Sequence, residues 1–131
     1  ALAAGGKVVG IIPQLLVEWE VAHRALTELI VCDNMHQRKA KIYSLCDAVI
    51  VLPGGFGTLD ELFEVLTWNQ LTIHDKSILI LNTDGFYDPL LQHLERLKQE
   101  GFLYEGAYEK LHIMPDPKSV ENWLTEINQR P

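Results

Sequence analysis

Short runs of apolar residues recur along this chain at Val8 to Ile12, Leu29 to Cys32, Ala48 to Leu52, Ser77 to Leu81 and Leu111 to Met114. Most are continuous rather than alternating, the pattern of strands buried on both faces. Helical spacing of apolar positions predicts helices over Met35 to Cys46, Thr58 to Leu71, Tyr87 to Glu100 and Ser119 to Asn128, with another around Glu18 to Leu26. Strand alternating with helix predicts an α/β three-layer fold, a parallel sheet covered by helices on both sides. The opening residues Ala1 to Gly6 read as the end of a helix with its glycine cap, so the chain is expected to begin inside an element.

Composition narrows the function. A chain of 131 residues supports a single domain, 1–131, with a single core, and 47% apolar with 22% charged residues is ordinary for a globular protein. The net charge of −7 argues against general nucleic-acid binding, which needs a basic surface. A local basic cluster, Arg38-Lys39 with Lys41, can still serve a small anion. Cys32 and Cys46 fit neither a zinc spacing nor a CxxC motif. Each lies in an apolar segment and reads as a buried free thiol, which suits a reducing cytosol. No apolar run approaches the roughly 18 residues of a membrane span, and no signal-peptide pattern opens the chain. The expectation is a cytoplasmic protein with no membrane partner.

In an open parallel sheet, ligands bind beyond the carboxyl ends of the strands. The stretches that fall there are Pro13 onward, Asn34 onward, the loop at Pro53 and Asn82 to Gly85. The Pro53 loop is the richest. Gly54, Gly55 and Gly57 crowd the turn between a strand and a helix, where backbone can approach a ligand closely and amides converge on one spot. It is neither the dinucleotide fingerprint, because Asp60 stands where the last glycine would be, nor a P-loop, because no Gly-Lys-Ser/Thr follows. A plain turn would need fewer glycines, so the loop predicts phosphate binding.

Glu61 follows one turn later and supports two readings. Thr58 and Glu61 have the spacing of a capping box, with Thr58 as N-cap and Glu61 at the third helical position. Alternatively, Glu61 is a carboxylate placed beside the anion cradle. In the helix from Met35, about 100° per residue puts Met35, Ile42, Leu45 and Cys46 on one apolar stripe, with Arg38 and Lys39 in it or at its edge. Snorkelling stems on a solvated face are one explanation. A guanidinium on a core-facing side more often answers an anion, which makes Arg38 a ligand contact. His36 is a candidate to line the same pocket. Glu20 could be a second carboxylate, although the pattern alone favours an ordinary surface glutamate. Trp19 and Trp68 read as core or interface residues. The histidines show no metal spacing, and Ser44 and Ser77 lack a nucleophile-elbow context, so neither a metal site nor a serine triad is expected.

Pro53 to Glu61, read as PGGxGTxxE, together with Met35-x-x-Arg38-Lys39, resembles the signature of the Lonely guy family. Gly10-x-Ile12-Pro13-x-x-Leu16-x-x-x-Glu20, Thr67-Trp68-x-Gln70-Leu71, Gly85-Phe86-Tyr87-x-x-Leu90-Leu91 and Gly101-Phe102 extend the resemblance over nearly the whole chain. The resemblance implies a Rossmann-like fold and hydrolysis of the N-glycosidic bond of a cytokinin or adenine riboside 5′-monophosphate. Arg38 and Glu61 would be catalytic. Glu20, Met35, Lys39, Pro53, Gly54, Gly55, Gly57 and Thr58 would bind substrate. It also implies a homodimer and no metal or organic cofactor. Lysine decarboxylation, a label the family has carried, finds no recognisable pyridoxal-phosphate site here and no electron sink in Arg38 and Glu61. Relative to the family pattern, an N-terminal βα portion of roughly 30 residues or more is expected to be absent from this chain. A non-catalytic nucleotide-binding carrier or sensor on the same fold is the alternative.

Overall fold

In the computed structural model, which describes residues 1–17, 26–104, 106 and 109–129, parallel strands alternate with helices along the chain. The chain divides into two compact units, Ala1–Cys46 and Asp47–Pro131.

In the first unit, a 3-10 turn at Leu2–Ala4 ends on Gly5 at φ 78, the left-handed glycine cap that the opening residues suggest. Strand β1 (Val9–Pro13), a short helix α1 (Gln14–Val17), strand β2 (Glu28–Cys32) and helix α2 (Met35–Leu45) follow. The strands pair in parallel, Val9 opposite Glu28 and Pro13 opposite Cys32. Helix α2 starts where it does because the Asn34 side chain accepts a hydrogen bond from the Gln37 amide at 2.9 Å, and α2 packs on both strands. The helix expected around Glu18 to Leu26 lies, over residues 18–25, outside the described residues, and so do Trp19 and Glu20.

The second unit contains strand β3 (Ala48–Val51), helix α3 (Phe56–Gln70), strand β4 (Ser77–Leu81), a 3-10 turn at Thr83–Gly85, helix α4 (Asp88–Gln99), strand β5 (Leu111–Met114) and helix α5 (Pro117–Asn128). Its sheet runs in the order β3-β4-β5, all parallel, with Ala48 opposite Ser77 and Ile78 opposite Leu111. Ile78, Leu79 and Ile80 of the central strand are 0% exposed. Leu79 packs with Met114 and Val120, against Ala48, Leu81, Trp123 and Leu124. Each such side chain contributes about 2 kcal/mol by leaving water. Helix α5 begins two residues before the expected Ser119. Asp116 caps it by accepting from the Ser119 amide at 2.7 Å and hydroxyl at 2.9 Å, and Pro117 takes the first turn.

Continuous apolarity over-predicts burial outside the central strand. Leu29 and Val31 of β2 and Ile50 of β3 are exposed. An apolar run states what a strand is able to bury, whereas actual burial depends on which helices cover each face. The cysteines are likewise free but only half-buried, not fully buried. Among the described residues no helix is long and apolar enough to cross a membrane.

Helices α3 and α4 end in the same motif with different residues. Ile73 donates to the Trp68 carbonyl at 2.9 Å and Thr72 to Asn69 at 3.0 Å; Phe102 donates to Leu97 at 2.9 Å and Gly101 to Lys98 at 3.0 Å. Both motifs require a left-handed residue. Gly101 meets this at φ 76, but Thr72 must hold φ 55 with a β-branched side chain. Thr72→Gly is therefore expected to stabilise the protein by about 1 kcal/mol. Denaturant unfolding measures it, and an unchanged or lower midpoint counts against strain at Thr72.

Candidate active site

The glycine loop joins β3 to α3 with only Leu52 to Gly55 between them. The structure corrects the capping reading. Helix α3 begins at Phe56 with Gly55 as its N-cap and no side-chain cap. The Leu59 amide donates to the Gly55 carbonyl at 3.1 Å, which is the first bond of the helix. The amides of Phe56, Gly57 and Thr58 therefore precede any intrahelical acceptor, and they stand at the positive end of the helix. Thr58 is the third helical residue, not the cap, because the glycines let the backbone turn into helix three residues early. Glu61 becomes the sixth helical residue, three and four positions beyond Thr58 and Gly57, on the same helix face. Its half-buried side chain tilts back toward the N-terminus, as helical side chains do. Capping no longer accounts for Glu61.

The loop's glycines divide by what requires them. A Cβ on Gly54 would run into Thr58 Oγ1 and lie 2.9 Å from Thr58 Cβ, so packing within the loop demands glycine there. A Cβ on Gly55 or Gly57 would meet no atom within 4 Å. Neither residue has a positive φ. Gly57 also sits inside a helix, where glycine costs about 0.5–1 kcal/mol relative to alanine. Nothing among the described residues repays that cost, whereas close approach of a ligand to the helix start would. Gly57→Ala is accordingly expected to raise stability by about 0.5–1 kcal/mol and to weaken AMP binding about tenfold. Thermal unfolding and titration calorimetry on the same variant read both signs. Loss of stability, or unaltered affinity, refutes a ligand-imposed glycine.

In the first unit, Met35, Arg38 and Lys39 occupy the opening turns of α2. The predicted stripe does face the strands: Arg38, Ile42, Leu45 and Cys46 line a groove with Val9, Ile11, Glu28, Ile30 and Lys41. The groove is open, however. Met35 is 43% and Leu45 52% exposed, and the residue α2 buries is Tyr43, which lies off the stripe. Arg38 is half-buried, and its Nε donates to the Ile11 carbonyl at 3.0 Å. That bond holds the guanidinium against the middle of β1. His36 is exposed.

One residue in contact with the glycine loop, Tyr87, and the Asn82 that holds it were not singled out as site residues by the sequence pattern. The Tyr87 hydroxyl donates to the Leu52 carbonyl at 2.6 Å, and the Tyr87 amide donates to Asn82 Oδ1 at 2.7 Å. Their sequence signals are position, since both follow β4 at its carboxyl end, and for Tyr87 its place in the Gly85-Phe86-Tyr87 segment of the family resemblance.

The family described as "Possible lysine decarboxylase" matches residues 1–124. Three curated relatives bear the name cytokinin riboside 5′-monophosphate phosphoribohydrolase. One from Oryza sativa subsp. japonica is 47% identical over 127 residues, 96% of this chain and 52% of the relative. One from Rhodococcoides fascians is 46% identical over 117 residues, 88% of this chain and 59% of the relative. One from Arabidopsis thaliana is 43% identical over 127 residues, 96% of this chain and 59% of the relative. This chain thus spans between about half and three fifths of their length. A match of that extent, on a parallel α/β scaffold with the glycine loop at a strand's carboxyl end, makes the chain a member of the Lonely guy (LOG) family, whose shared description still speaks of lysine decarboxylation.

Proposed function

We propose that the protein hydrolyses the N-glycosidic bond of a cytokinin or adenine riboside 5′-monophosphate, releasing free base and ribose 5-phosphate. The observation that carries this reading is the helix start at Phe56, where Gly55 and Gly57 leave open a cradle that the fold itself does not need, one turn before Glu61. The relatives' names support the same substrate class. The amides at the start of α3, with Lys39, bind the 5′-phosphate, and Met35, Pro53 and Thr58 complete the substrate contacts.

Cleavage passes through an oxocarbenium-like sugar, which a carboxylate stabilises. Glu61 takes that part and orients or deprotonates the attacking water. The water oxygen bonds to the anomeric carbon, the electrons of the glycosidic bond leave with the base, and a proton completes the base. Arg38 holds the nucleotide and assists base departure by charge and hydrogen bonding. Glu20, outside the described residues, orients ribose hydroxyls. Water is the nucleophile and protein groups carry the charge, so the scheme calls for no metal or organic cofactor.

The same reading makes residues 1–131 one nucleotide-binding domain acting in the cytoplasm, which two free thiols suit. Its partners are a small nucleotide rather than a nucleic acid, and a second copy of the chain. Exposed Leu71 and Ile73 and the apolar groove between Phe63, Leu66, Leu94 and Leu97 offer that copy a surface to cover. Chromatographic detection of free base from AMP and from isopentenyladenosine monophosphate tests the proposal. Base release supports it. Nucleotide binding without base release replaces it with the carrier or sensor reading.

A further inference from the structure

We infer that Tyr87 is a positioning residue for the phosphate cradle, tying the β3–α3 loop to the β4–α4 connection through its hydroxyl. The inference rests on the phosphate-binding reading of that loop. Leu52 lies one residue beyond Val51, where the β3–β4 register ends opposite Ile80. Its carbonyl therefore has no place in the ladder, and the next residue, Pro53, has no amide to offer. The Tyr87 hydroxyl, 35 positions further along the chain, meets that carbonyl at 2.6 Å. A backbone hydrogen bond from Gly54 reaches the same oxygen. One hydroxyl thus holds the loop on both sides of Pro53.

The tyrosine is itself rigidly held. It is 3% exposed, and Phe86 packs edge-on against its ring at 4.8 Å. Its amide donates to Asn82 Oδ1 at 2.7 Å, and the Asn82 side chain donates in turn to Asp88 Oδ1 at 2.7 Å. The Asn82 amide donates to the Met114 carbonyl at the end of β5, also at 2.7 Å. Asp84 at φ 52 and Gly85 at φ 70 make the tight turn that returns the chain to Tyr87. The carboxyl ends of all the strands in this sheet are thereby connected to the glycine loop. Burial pushes the phenol's ionisation above its ordinary value, which keeps the hydroxyl a donor at neutral pH.

This arrangement also reassigns Gly54. That glycine serves the site by permitting the turn beneath Thr58, whose Oγ1 and Cβ leave no room for a side chain there.

Tyr87→Phe keeps the ring and removes the clamp. Hydrogen–deuterium exchange of peptides covering residues 52–58 is expected to speed up in the variant, while β4 peptides keep their protection. KM for AMP is expected to rise about tenfold with kcat changed less than about threefold. Affinity for adenosine, which lacks the phosphate, is expected to hold. Asn82→Ala, which withdraws the acceptor of the Tyr87 amide, is expected to act in the same direction. Unchanged exchange in residues 52–58 overturns the clamp. Equal weakening of AMP and adenosine reduces Tyr87 to a packing residue. A wild-type protein that binds AMP no better than adenosine defeats the phosphate reading of the loop itself, however the loop exchanges.

Discussion

Glu61→Gln is expected to lower base release by about 10²–10⁴-fold while leaving folding intact. The helix itself tolerates this substitution. Glu61 is the sixth residue of α3, past the first turn, where neither capping nor the helix dipole depends on its charge. Glutamate and glutamine have nearly equal helix propensity, so the stability change stays within about 0.5 kcal/mol. The carboxylate's loss is then felt most where positive charge develops on the sugar and where water must surrender a proton. AMP affinity is expected to persist or tighten, because a negative charge near the phosphate is removed. Single-turnover base release, calorimetry with AMP and thermal unfolding separate these effects. A variant that retains more than about a tenth of wild-type turnover removes Glu61 from the chemistry.

Arg38→Lys is expected to cost about 10²-fold in kcat/KM despite conserving charge. The guanidinium in place has its Nε on the Ile11 carbonyl at 3.0 Å, and the rest of its planar fork is oriented by that bond. A lysine offers one ammonium on a flexible stem, which cannot satisfy the carbonyl and present a second directed donor at the same time. Were the arginine only a source of positive potential, lysine would serve and turnover would stay within a few-fold of wild type. That result, in a variant with unaltered unfolding, would return Arg38 to a structural role against β1.

The elements were legible because they follow local rules. β4 and β5 fall on the apolar runs at Ser77 and Leu111, and Asn34 and Gly101 mark helix ends by the chemistry of their own side chains or the lack of one. Helix starts were less legible. At Thr58 a good capping sequence lost to glycines that bend the backbone earlier, and at Ser119 the Asp116-Pro117 pair was the stronger signal. Met35 and Leu45 show the same limit for packing, since periodicity assigns a face but not what covers it.

For the candidate site, the chain's own pattern singled out the Pro53 loop, Arg38 and Lys39, through an excess of glycine and charge where local structure did not ask for it, and left Glu61 open between a cap and a site carboxylate until the family resemblance favoured the latter. Only the tertiary structure decided which of those glycines serve the fold. Gly54 answers to Thr58 and Tyr87, whereas Gly55 and Gly57 answer to nothing among the described residues. It alone brought Tyr87, held by Asn82, to the loop, since a hydrogen bond from residue 87 to residue 52 depends on two strands lying side by side. Local composition records what each segment is able to do; contacts between distant segments arise from parallel pairing, which leaves no periodic trace in either one.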